Sequence, residues 1–181
     1  MAGERDQVAT LAQIKDLLGE PRFHWADPAP WCQVERELGV TFPADFREVV
    51  DAYGSIVING QLYLEHPAKE SGRDLGQKTR EEIEDWRENE EDFGDLPSRV
   101  GSGPGELLPF ASAASGECLF FRVPVEPSMP WWIGVHEFDS PAYVAHDMTF
   151  SDWLLAYLTG ENVTVHARNF AAGAPFFEPV S

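Results

Sequence analysis

The sequence predicts an α+β fold, a largely antiparallel sheet with N-terminal helices and a C-terminal helix packed on it. Three observations carry this. Three stretches with helical spacing precede any strand signal, Asn59-Gly60 sits between two short apolar runs as a hairpin marker, and the later apolar runs are separated by turns before one final helix. The strand–helix alternation that a doubly wound parallel sheet requires is missing.

Val8, Leu11, Ile14, Leu17 and Leu18 recur at helical spacing, and Gly19 and Pro21 then supply a stop, so a first helix is expected over about residues 7–18. Asp27 before Pro28 is a cap for a second helix carrying Trp31, Val34 and Leu38, and Gly39 favours a left-handed C-terminal turn. A third helix starts near Pro43, places Phe46, Val49, Val50 and Tyr53 on one side, and stops at Gly54. Residues 56–58 and 62–64 flank Asn59-Gly60, where both central residues tolerate positive φ. From His66 to Gly105 the chain turns polar, with one helix expected from Thr79 to Phe93 and Ile83, Trp86 and Phe93 facing inward. The glycine-rich run around Gly101, Gly103 and Gly105 reads as a flexible linker. Strands are expected at LLPF from 107, CLFFRV from 118, WWIGVHEF from 131 and AYVAHD from 142. Thr149 and Asp152 form a capping-box pattern ahead of a last helix with Phe150, Trp153, Leu154, Tyr157 and Leu158. The tail from Glu161 to Ser181 keeps Phe170, Phe176 and Phe177, which argues that it lies on the domain surface. The whole chain, residues 1–181, reads as a single domain, with a core over about 31–160, an acidic insertion over about 66–105 and a C-terminal extension from 161 to 181.

Composition narrows the function. With 181 residues, 43% of them hydrophobic, the chain can bury roughly 70% of its unfolded surface, enough for one core. Thirty-one acidic against thirteen basic residues give a formal charge of −18, which repels phosphate backbones and anionic bilayers, so neither nucleic acid nor membrane is the expected partner. Two cysteines cannot build a multi-bridge framework, and the N-terminal residues lack the apolar stretch of a signal peptide; a cytoplasmic location is expected. Arginine outnumbers lysine, and alanine, glycine and proline are plentiful, as in GC-rich bacterial proteins.

No pattern of residues argues for catalysis, a metal or another cofactor. There is no G-x-S-x-G elbow, and no lysine follows the glycine run as it would in a phosphate-binding loop. His136, Glu137, Asp139, His146 and Asp147 are metal-ligand types, but their spacing matches no zinc motif and strand alternation sends His136 and Glu137 to opposite faces, so they read as polar residues of the sheet surface. A metal enzyme or hydrolase is the third reading; it would lose activity on changing His136 or His146. Cys32 and Cys118 read as buried small hydrophobes. The Asn162-Val163-Thr164 sequon carries no meaning in a cytosol.

The remaining feature is a run of nine acidic residues between Glu81 and Asp95, broken only by Arg87 among charged positions. Pairs such as Glu84 with Glu88, at i and i+4, each cost a helix about 0.2–0.5 kcal/mol, so stability does not call for them. A solvated helix face accounts for such a run. A docking surface for a basic protein accounts for it as well, with Glu81, Glu84, Asp85, Glu88, Glu91 and Asp92 as the charged contacts. Trp86 would anchor that surface only if it were not core. The exposed face of the sheet is the second candidate interface.

The stretch from Val34 to Leu64, with Glu35, Leu38, Gly39, Pro43, Asp45 and Phe46 in order, resembles the opening of SUKH-superfamily proteins, the Smi/Knr group. Leu108, Pro109, Gly116 and Glu117 are similar to that family's strand, small-residue loop and Gly-acid turn, and TFSDWLLAYLTG resembles its closing helix. The asparagine and paired glycines often found after its second helix are Tyr53, Gly54 and Ser55 here. The resemblance implies an α+β fold with an antiparallel sheet and a non-catalytic role. In bacteria that role is immunity against toxins, often nucleases; in fungi it is that of a regulatory interaction hub. The expected partner is therefore a basic toxin domain, with an intracellular regulatory scaffold as the alternative.

Overall fold

The computed structural model describes residues 9–68, 74–92, 96–137, 142–164 and 174–180. Three helices come first: α1 (Leu11–Leu18), α2 (Ala29–Leu38) and α3 (Ala44–Tyr53). The hairpin strands β1 (Ile56–Ile58) and β2 (Leu62–Leu64) follow, then α4 (Leu75–Glu88), strands β3 (Leu107–Ala113), β4 (Glu117–Arg122), β5 (Trp132–Glu137) and β6 (Ala142–His146), helix α5 (Phe150–Leu158) and a short strand β7 (Phe177–Pro179). The seven strands form one antiparallel sheet in the order β6-β5-β4-β3-β2-β1-β7. This is the α+β class the sequence predicts.

The hairpin turn follows from its residues. Asn59 and Gly60 adopt φ of 55° and 65°, and the Ile58 carbonyl accepts the Gln61 N–H at 2.9 Å. Paired left-handed residues give a turn whose twist suits antiparallel strands. Asn59 also clamps the tail: its N–H donates to the Phe176 carbonyl at 2.9 Å and its Oδ1 accepts the Phe176 N–H at 3.0 Å. The described end of the tail, residues 174–180, thus lies against the domain, and β7 adds to the sheet beside β1.

Alternation along each strand assigns the two faces of the sheet. Phe110, Leu119, Phe121, Ile133 and Val135 meet α3 and α5, where Phe46 stands edge-on to Phe110, Phe121 and Phe150 at 5.0–5.4 Å. Phe110 and Phe121 stack at 3.8 Å. Cys118, Phe120 and His136 share the opposite face, under α4. Edge-to-face and offset pairs of this kind add to the stabilisation from burial.

Several local expectations change. The fourth helix begins at Leu75, capped by Asp74, and ends at Glu88, so it starts a turn earlier than Thr79 and stops short of Phe93, which lies outside the described residues along with Val8, Asp139 and Phe170. Thr79 is buried within the helix because its Oγ1 donates to the Pro109 carbonyl at 3.1 Å. The glycine-rich run is a docked loop: Gly101 N–H bonds the Leu107 carbonyl, Leu107 N–H the Arg99 carbonyl, and Ser102 Oγ donates to the Leu38 carbonyl at 2.7 Å. Thr149 Oγ1 does accept from the Asp152 N–H at 3.2 Å, but Asp152 does not reach back to complete the box; its carboxylate accepts the Ala9 N–H at 2.7 Å and ties the N-terminal segment to α5.

Candidate functional site

The position of α4 decides what the acidic run can do. Leu75, Thr79, Ile83 and Trp86 fall on one stripe of the helix and are buried against the sheet. Trp86, 2% exposed, stands edge-on to Phe120 at 5.4 Å and to His136 at 5.0 Å. It is a core residue, as its helical position implied, and anchors the helix instead of a partner. Lys78 Nζ donates to Ser112 Oγ at 2.9 Å on one flank.

The opposite stripe carries Gln77, Glu81, Glu84 and Glu88, with Asp85 one step around. Glu84, Asp85 and Glu88 are exposed, and Glu91 and Asp92 are exposed in the turn that follows the helix. Glu81 is half-buried and accepts a hydrogen bond from Gln77 Nε2 at 2.9 Å. The structure therefore brings Glu81, Glu84, Asp85 and Glu88 onto one helix surface and sets Glu91 and Asp92 beyond its end.

The two arginines of this stretch do not neutralise that surface. Arg80 and Arg87 lie two helical turns apart on the same flank, and both are engaged sideways. Arg80 Nη1 pairs with Glu37 Oε2 of α2. Arg87 Nε donates to the Val100 carbonyl at 3.1 Å, and its Nη2 lies 3.8 Å from Glu106 Oε2. Among the described residues, Glu84, Asp85, Glu88, Glu91 and Asp92 form no ion pair.

Next to this face is a groove of about 570 Å³ between α2 and α4, with Trp25, Asp27, Val34, Asp74, Gly76 and Arg80 among its lining. The helices meet closely at its floor. A Cβ on Gly76 would lie 2.9 Å from Val34 Cγ2, so only glycine permits this approach. Behind the Trp25 wall, His66 is fully buried and bonded to Asp51 at 2.9 Å, with Phe23, Trp25 and Trp31 rings around it at 5.0–5.9 Å. The sequence reading took Asp27 only as a helix cap and overlooked Trp25, Asp51, His66 and Asp74. They are scattered over 50 positions, and the one available signal was Asp74, a capping residue three positions before Gln77.

The other candidates separate. His136, expected on the sheet surface, is buried beneath Trp86. His146 sits on β6, where burial lowers its pKa below the ordinary value of 6.5. Cys118 is buried, and burial pushes its thiol pKa well up, which makes it a poor nucleophile. Cys32 is exposed on α2, contrary to the expectation of core packing, because it faces away from the Trp31 and Val34 stripe. Among the described residues no three metal-ligand side chains converge, and no helix is long and apolar enough to cross a membrane.

The second candidate interface, the sheet face beside α4, presents Arg122 over the Trp132 ring at 5.8 Å, with Tyr143 half-buried nearby on β6. No curated protein matches the chain. The family model of the SMI1/KNR4 family (SUKH-1) matches residues 26–156, from just before α2 to within α5, so α1 and β7 lie outside the matched region and the chain belongs to the SMI1/KNR4 (SUKH-1) family.

Proposed function

We propose that this chain is a non-catalytic binding protein, an immunity protein that neutralises a cognate bacterial toxin in the cytoplasm by direct protein–protein contact. The observation that carries the reading is the acidic surface of α4, where Glu84, Asp85 and Glu88 are exposed and form no ion pair among the described residues while Arg80 and Arg87 are drawn aside. Such a face contributes nothing to the stability of the helix. It speeds encounter with a basic partner, toward about 10⁸–10⁹ per molar per second at low salt. A protein that must catch a nuclease before it reaches nucleic acid benefits from speed. Glu81, Glu84, Asp85, Glu88, Glu91 and Asp92 supply the charged contacts, and membership of the SUKH-1 family supports the role.

The test is co-expression with, and capture of, a toxin domain encoded in an adjacent reading frame. Protection of the cell, capture that weakens with salt, and loss of capture on charge reversal of the α4 face are expected. A protein that neither captures nor protects against any neighbouring toxin domain would sink the reading.

A further inference from the structure

The groove between α2 and α4 differs from the open helix face in having walls. Trp25 forms one side, its Nε1–H held by the Asp27 carbonyl at 2.6 Å. Asp27 and Asp74 stand at its lining, and each commits one oxygen to a helix start: Asp27 Oδ1 accepts the Ala29 N–H at 2.9 Å and Asp74 Oδ1 accepts the Gln77 N–H at 2.8 Å. The second oxygen of each has no hydrogen bond or ion pair among the described residues. Glu37 and Arg80 neutralise one another across the groove. Among the described residues the lining thus carries a net negative charge, an indole and an apolar floor at Val34 and Gly76, in a volume within the range of about 300–1,000 Å³ common to ligand pockets.

We propose that this groove receives a single arginine side chain projecting from the basic partner, and so supplies the specificity that the open acidic face cannot. The inference rests on the reading given under Proposed function. Charge selects a cation over an anion or a neutral chain. The indole selects a guanidinium over an ammonium, because the planar, weakly hydrated group stacks on an aromatic ring while its N–H fork bonds carboxylates. The groove is continuous with the acidic face, since Arg80 precedes Glu84 by one turn of α4. A partner steered by Glu84, Asp85 and Glu88 is delivered to its mouth.

The probe is N-acetyl-arginine amide, titrated into the full chain and followed by ¹H–¹⁵N NMR, with N-acetyl-glutamine amide as the neutral control. Saturable shifts of the Trp25 indole N–H and the Gly76 amide are expected with the arginine compound alone. Asp27→Asn combined with Asp74→Asn keeps both helix-capping oxygens and removes both charges; it should weaken the arginine compound roughly 5- to 10-fold. Shifts confined to Glu84, Asp85 and Glu88, equal shifts from the glutamine compound, or unchanged affinity in the double variant would each overturn the proposal. The two readings fail separately. A toxin domain captured equally well by the double variant removes the groove and leaves the immunity role, whereas failure to capture any toxin domain removes that role while the titration still reports on the groove.

Discussion

The buried His66 donates through Nε2 to Oδ1 of the partly exposed Asp51 at 2.9 Å. The same oxygen accepts the Trp31 indole N–H at 2.7 Å, and the Ala68 N–H donates to His66 Nδ1 at 2.9 Å, which places the imidazole proton on Nε2. One carboxylate on the last turn of α3 thus ties α2 to the chain entering α4, and holds the wall behind the groove. Asp51→Ala leaves two buried donors without their acceptor and should cost about 2–4 kcal/mol, with Asp51→Asn milder because its amide oxygen still accepts. Urea unfolding measures both; a loss under 0.5 kcal/mol for the alanine variant, a threshold set by the usual worth of a single hydrogen bond, would show that the pair contributes little.

Trp86→Ala removes the residue that seats α4 on Phe120 and His136. A destabilisation of about 3–5 kcal/mol is expected from the cavity it leaves. Trp86→Phe should lose less, as the ring still fills much of the site. Near-neutral unfolding of the alanine variant would show that α4 is held from elsewhere.

Glu88→Lys should move stability and binding in opposite directions. It converts the repulsive Glu84–Glu88 pair into an attractive one and puts a cation at the helix C-terminus, a gain of a few tenths of a kcal/mol. Partner association should slow, most at low salt. Thermal unfolding and association kinetics together check the pair of signs, and a marked loss of stability would mark the position as structural.

Asn59 supplies both a left-handed φ and the Oδ1 clamp on Phe176. Asn59→Gly keeps the turn and loses the clamp; Asn59→Ala loses both, at about 1–2 kcal/mol more. Faster amide exchange at Phe176 is expected in either variant. Unchanged exchange would show that the Asn59 side chain adds nothing to the backbone bonds that hold the tail.

His146 predicts a pH effect. Its pKa is lowered by burial, so the unfolded chain takes up a proton more readily than the folded one. Its neutral form is accommodated fully above the unfolded value near 6.5, and stability is lost as pH falls below that toward the folded value. Denaturant midpoints of wild type and His146→Gln, compared at about pH 7.5 and about pH 5.5, one on either side of the unfolded value, should show the smaller acid loss in the variant. Identical losses would remove His146 as the cause.

The helical stripes, the Asn59-Gly60 turn and the apolar strand runs were legible because each rests on local spacing or on a backbone preference within a few residues. The errors share a cause. The helix expected from Thr79 begins at Leu75, and Thr79 lies inside it because the Pro109 carbonyl, 30 residues away, takes its hydroxyl. The glycine run looked flexible because its partners, Leu38 among them, lie far along the chain. The tail's strand was invisible because three residues show no periodicity until β1 offers an edge.

For the site, an acidic helical stretch was legible in the sequence, since charge and helical order are local properties, but the helix carries only Glu81, Glu84, Asp85 and Glu88 of the six expected carboxylates and ends before Glu91 and Asp92. Tertiary packing turns Trp86 to the core and draws Arg80 and Arg87 to Glu37, Val100 and Glu106, so that Glu84, Asp85 and Glu88 form no ion pair among the described residues. It also decided that Trp25, Asp27 and Asp74 share a groove. Side-chain pairing across elements depends on which elements pack together, and packing is settled by burial of the whole apolar surface, not by any one segment.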